Sequence, residues 1–119
     1  MNIARIALTA ATLTAFVGCA DQPAKEDQLL EIGYDHLLRQ QWAQAEADFQ
    51  QVLQRDANNP YALLNLGVVY QQTEREDEAR DMYQRAVESG TGAVAVESNV
   101  AGEQGRSVTQ LAERNLSQL

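Results

Sequence analysis

From Leu29 onward the apolar residues fall at helical spacing. Leu29, Ile32, Gly33 and His36 stand at i, i+3, i+4 and i+7, one face of a helix, and Ala45, Phe49, Val52 and Leu53 mark a second. The same two patterns return as Leu63, Leu66, Gly67 and Tyr70, then as Ala79, Tyr83, Ala86 and Val87. One constant offset sets Leu29 on Leu63, Gly33 on Gly67, Ala45 on Ala79 and Phe49 on Tyr83. Self-similarity at a period of this length predicts stacked helical repeats. Breakers fall between the stripes: Gln40-Gln41-Trp42 and Thr73-Glu74-Arg75 inside each repeat, and Asp56 to Pro60 between them. Asn59 is placed to cap the next helix, with Pro60 at its first position.

The small residues carry a packing argument. Glycine in a helix costs about 1 kcal/mol relative to alanine, so Gly33 and Gly67 predict sites of close helix approach. Ala45 and Ala79 are expected to face them, with Phe49 and Tyr83 as plugs between helices. The expected core is therefore Leu29, Gly33, Ala45, Phe49, Leu63, Gly67, Ala79 and Tyr83. Beyond residue 93 the pattern weakens into a run rich in glycine and small residues. Ser107-Val108-Thr109-Gln110 then has the capping-box pattern ahead of Leu111, Ala112 and Leu116. A final helix covering the open end of the repeats is expected, since end repeats need a cap; an incomplete third repeat is the alternative.

These positions resemble the tetratricopeptide repeat family. Leucine, glycine, aromatic, alanine, aromatic and alanine occur in the order of that motif as Leu63, Gly67, Tyr70, Ala79, Tyr83 and Ala86. The first copy departs from it at His36, Val52 and Ala57. The resemblance implies an all-α fold: two helix-turn-helix repeats (26–59 and 60–93) in a right-handed solenoid, then a loop and capping helix over 94–119. It also implies that first-helix positions line a concave groove. Here those are Leu30, Tyr34, Leu37 and Leu38 in one repeat, and Tyr61, Leu64, Asn65, Val68 and Gln71 in the next. A helix apolar over this much of its circumference expects cover on both sides. A bound partner, another segment of the chain or a second copy would each supply it. Of the family's carboxylate clamp only Asn65 survives, since Leu30 and Tyr34 stand where lysine and asparagine are needed. An apolar peptide or helix is the expected ligand.

The N-terminus reads as an address. Arg5 is followed by an apolar run from Ile6 to Phe16 and by small residues, the marks of a secretory signal. The run is shorter than the ~20 residues that cross a bilayer. Phe16-Val17-Gly18-Cys19 resembles the lipobox of bacterial lipoproteins, with Phe16 in place of the usual leucine. The resemblance implies removal of residues 1–18, acylation of Cys19 and a tether over 19–25. Ala20 after the cysteine implies sorting to the outer membrane, facing the periplasm. The alternative is an ordinary signal cut after Ala20, leaving a soluble periplasmic protein.

Charge and composition narrow the function. The chain has 119 residues, with nine Lys+Arg against 17 Asp+Glu. Loss of Arg5 with the signal would leave a net charge of −9. Neutralising phosphates needs clustered Lys and Arg, so nucleic acid is not an expected partner, and an anionic lipid surface would not hold this chain by charge. With one cysteine and one histidine, no disulfide and no zinc site of His/Cys type forms within one chain. His36 lies at a core-like position and is expected to be packed or hydrogen-bonded. Asp21, Glu26, Asp27, Glu31 and Asp35, and Glu74, Glu76, Asp77 and Glu78, read as charged helix starts favoured by the helix dipole. Gly90-Thr91-Gly92 lacks the lysine of a phosphate loop, and Ser89, Ser98 and Ser107 have no histidine to activate them. No catalysis, metal or cofactor is expected. The expected function is a membrane-tethered protein-interaction module, by family analogy an assembly or pilot factor for a pilus, secretion or envelope complex. A self-associating structural lipoprotein is the alternative, because two repeats bury little core.

Overall fold

The computed structural model describes residues 25–90, 92–94 and 105–119, which form five helices: α1 (Glu26–Leu38), α2 (Trp42–Arg55), α3 (Pro60–Gln72), α4 (Glu76–Ser89) and α5 (Val108–Leu116). The signal segment 1–18, Cys19 and residues 20–24 lie outside the described residues, as do 95–104.

Each helix packs on its successor, and α1 also touches α3, as α3 touches α5. Two layers result, with α1, α3 and α5 along one side and α2 and α4 along the other. The buried residues follow the stripes read from the sequence: Ala45, Phe49 and Val52 in α2, and Ala79, Met82, Tyr83 and Ala86 in α4. In the middle of the stack, α3 buries seven of its 13 residues. Phe49, Leu63 and Tyr83 are fully enclosed, and each such side chain contributes about 1.5–3 kcal/mol by leaving water.

Two expectations are corrected by the packing. A Cβ on Gly33 would stand 2.8 Å from the Phe49 ring, and one on Gly67 would stand 2.5 Å from the Tyr83 ring. The glycines thus face the aromatic plugs, whereas Ala45 and Ala79 are simply fully buried. Ile32, grouped with the core face, is 44% exposed, while its counterpart Leu66 is 2% exposed. The reason is position: α2 covers that face of α3, and no described helix precedes α1.

The turns repeat as faithfully as the helices. Gln40 and Glu74, equivalent positions of the two repeats, are the described non-glycine residues with positive φ, at 58° and 61°. In the first turn Gln41 N donates to His36 O (2.9 Å) and Gln40 N to Leu37 O (3.0 Å). In the second, Arg75 N donates to Tyr70 O (2.8 Å) and Glu74 N to Gln71 O (3.2 Å). These are paired Schellman closures that satisfy the last carbonyls of α1 and α3. Asn59 caps α3 as expected, its Oδ1 accepting from Ala62 N at 3.0 Å with Pro60 at the first position. Its Nδ2 also donates to Glu26 at 2.6 Å, joining the starts of α1 and α3.

The C-terminal helix has the expected capping box: Gln110 N donates to Ser107 Oγ at 3.1 Å, and Ser107 N to Gln110 Oε1 at 3.2 Å. It rests on α4 and α3 just as α3 rests on α2 and α1, so it occupies the place of the first helix of a third repeat. Val108 N donates to Ala93 O at 2.9 Å, and Val94 bridges Ser107, which pins the two ends of the intervening segment together.

Candidate functional site: the first-helix face

Helices α1, α3 and α5 lie in one layer and share a register set by their N-caps, Lys25, Asn59 and Ser107. Residues equally far from their caps therefore form rows across the layer. Five positions on stand Leu30, Leu64 and Ala112; nine positions on stand Tyr34, Val68 and Leu116. Both rows are apolar, and they are adjacent because residues four apart share a helix face.

Within this face the expected groove residues divide into two groups. Leu30, Tyr34, Tyr61, Asn65 and Val68 are half-buried and Leu38 is 47% exposed, so they remain accessible on the described surface. Leu37 and Leu64, expected in the groove, are 6% and 8% exposed and belong to the core. Gln71 is engaged as well: its Oε1 accepts a hydrogen bond from the Tyr83 hydroxyl at 2.7 Å. Leu37 and Gln71 depart from the expectation because their shared register, at the end of the first helix, turns inward toward the second. Leu64 departs from it because α3, in the middle of the layer, has a first helix on either side. The Tyr61 hydroxyl donates to Val94 O at 3.1 Å, which holds the chain after α4 against the edge of the face.

Sequence reasoning missed Leu116 as part of the face, because the connection from α4 to α5 is longer than that from α2 to α3 and breaks the repeat period. The signal was present in the caps. Counting from Ser107 rather than from the repeat origin aligns Leu111 with Leu63 and Leu29, all three buried.

Polar residues elsewhere are committed to structure. His36 Nδ1 lies 2.6 Å from Asp48 Oδ2, joining α1 to α2, as expected of a hydrogen-bonded histidine. Arg75 joins the repeats: its guanidinium bonds Glu46 of α2 at 2.9 Å and Glu78 of α4, and it lies 4.2 Å above the Tyr70 ring. The hydrogen bond to Glu78, reinforced by Glu46, holds Arg75 above its ordinary range, and Arg75 in turn holds the Glu78 carboxyl below its ordinary value. Burial pushes the Tyr83 phenol up. Among the described residues no group of three or more His, Cys, Asp or Glu is placed to hold a metal ion, and no helix is long and apolar enough to cross a membrane.

A family model described as Tetratricopeptide repeat matches residues 36–96, just over half of the chain. The chain belongs to the tetratricopeptide repeat family. The match runs from the end of α1 through α4, so it contains the second tetratricopeptide repeat whole and α2 of the first. Among curated proteins and among solved structures nothing matches the chain. Tetratricopeptide repeats mediate protein–protein interaction and are typically non-catalytic modules.

Proposed function

We propose that the protein is a lipid-tethered adaptor, anchored through Cys19 to the periplasmic side of the outer membrane, that holds a segment of another protein on its first-helix face. The observation that carries the docking role is the accessible apolar strip of Leu30, Tyr34, Leu38, Tyr61 and Val68 on a two-layer helical frame. Apolar surface gathered on one face, with polar residues around it, is the usual mark of an interaction site. The anchor is supported by Phe16-Val17-Gly18-Cys19, where the chain's one cysteine stands at the position acylation requires. By family analogy the partner belongs to a pilus, secretion or envelope assembly.

A photo-crosslinker at Tyr34 of the full-length protein in cells tests the docking role. Capture of a distinct envelope protein, lost on Leu38→Asp, is the expected result; capture unaffected by Leu38→Asp would refute docking on this face. Incorporation of labelled fatty acid, abolished by Cys19→Ala, tests the anchor independently. The rival reading is self-association through the same strip, favoured by the exposure of Leu38 on α1. Light scattering separates the two, because a strict monomer at high concentration excludes the rival.

A further inference from the structure

The common register of α1, α3 and α5 places a polar row beside the two apolar ones. Six positions past each cap stand Glu31, Asn65 and Glu113. Glu31 and Glu113 are exposed, Asn65 is half-buried, and neither glutamate is in an ion pair among the described residues. Asp27 continues this edge one turn before Glu31 on α1 and is also exposed and outside any described ion pair. Arg39, just past the end of α1, is held by Asp35 at 3.1 Å, Arg114 follows Glu113 on α5 and is half-buried with Asn115 as a partner, and α3 carries no charged residue at all. The strip is therefore an apolar floor with carboxylates on its first and last helices and nothing positive between them.

We propose that the occupant of this face is a cationic amphipathic segment of a partner protein. It lies across α1, α3 and α5, with its apolar residues over Leu30, Tyr34, Val68 and Leu116. Its Lys or Arg residues stand against Glu31 and Glu113. The inference rests on the docking role above and adds the chemistry of the partner. Exposed charge at the rim of an apolar contact governs choice of partner and association rate more than raw affinity, and like charge set against it is repelled. A cationic segment is accepted and an anionic one of the same apolar pattern is turned away.

The test uses the full-length chain and three fluorescent amphipathic peptides of one leucine pattern, with lysine, glutamine or glutamate on the polar face, followed by anisotropy. A scrambled lysine peptide controls for charge alone. The lysine peptide is expected to bind at least tenfold more tightly than the glutamate peptide. The double variant Glu31→Gln/Glu113→Gln should narrow that ratio several-fold with unchanged circular dichroism, since both positions are exposed. Equal binding of all three peptides, each weakened by Leu38→Asp and Val68→Asp, overturns the cationic partner and leaves docking on this face intact. Binding indifferent to both of those variants, or absent for the lysine peptide, or no better than that of its scrambled form, overturns the proposal, and the first of these outcomes overturns the docking role with it. Two groove variants are used because Val68 touches the core, whereas Leu38 does not.

Discussion

The two repeats solve one packing problem in two ways, and exchanging the solutions tests the register at atomic detail. In the second repeat the plug is Tyr83, fully buried, with its hydroxyl donating to Gln71 Oε1 at 2.7 Å. In the first repeat the plug is Phe49, and the counterpart of Gln71 is Leu37, likewise buried. Tyr83→Phe removes the donor but leaves Gln71, which is half-buried and can be recaptured by water, so the loss is about 1 kcal/mol. Gln71→Leu is costlier, about 1–2 kcal/mol, because it leaves an enclosed phenol, pushed away from ionisation by burial, with only the Asn115 side chain as partner. The double variant rebuilds the Phe and Leu of the first repeat. It is expected within about 0.5 kcal/mol of the parent, giving a coupling on the order of 2 kcal/mol between the two positions. Thermal unfolding followed by circular dichroism reads this directly, since 1 kcal/mol moves the midpoint of a domain this size by roughly 4–8 °C. Additive losses, with the double variant the least stable of the four proteins, would refute the equivalence of the two pairs.

Gln40 and Glu74 hold positive φ at the ends of α1 and α3, a conformation that burdens any residue with a Cβ by about 1–2 kcal/mol. Gln40→Gly and Glu74→Gly should therefore each stabilise by about 0.5–1 kcal/mol after the extra freedom of glycine in the unfolded chain is subtracted, measured by urea titration. Gly67→Ala should destabilise by about 1–2 kcal/mol in the same assay despite the better helix propensity of alanine, because its Cβ would lie 2.5 Å from the Tyr83 ring. Glu78, held below its ordinary value of 4.5 by Arg75, stabilises the fold at neutral pH and loses that contribution as pH falls through its folded value. The stability gap between the parent and Glu78→Gln should accordingly be constant near neutrality and close below about pH 4.5, and it should shrink in high salt.

Much of this fold was legible because the stripes, breakers and caps agree with one another. A single offset aligned Phe49 with Tyr83 and Gly33 with Gly67, and Asn59 and Ser107 marked helix starts by the chemistry of their side chains. What periodicity could not supply was location in the stack. Ile32 and Leu66 occupy one register, yet exposure follows from whether a helix precedes, which no local pattern records. The face suffered the same limit. Leu37 and Gln71 lie one turn from accessible residues, and only the inward direction of the plugs decides that Leu37 joins the core and Gln71 is engaged by the Tyr83 hydroxyl. The row through Glu31, Asn65 and Glu113 was hidden for a different reason, since it needs α5 to be counted from its own cap.

The ends of the stack bear on why two repeats suffice. In α3 the face toward the preceding repeat is built of Ala62, Leu66 and Val69, all buried. The corresponding face of α1 carries Gln28, Ile32 and Asp35, all exposed, so two of three contacts that would hold a preceding repeat have become polar. At the other end α5 buries Val108, Leu111 and Ala112 against the stack and turns Gln110, Glu113, Ser117 and Gln118 outward. A solenoid grows when each open face is apolar and stops when it is not. Asp35 would have to be desolvated by an incoming helix, and its partner Arg39 lies one turn further on the same helix, so addition of another copy at that end is opposed by charge burial. End-to-end stacking is thereby disfavoured at both termini of the helical array, and the apolar strip along its side is left as the surface with something to gain from cover.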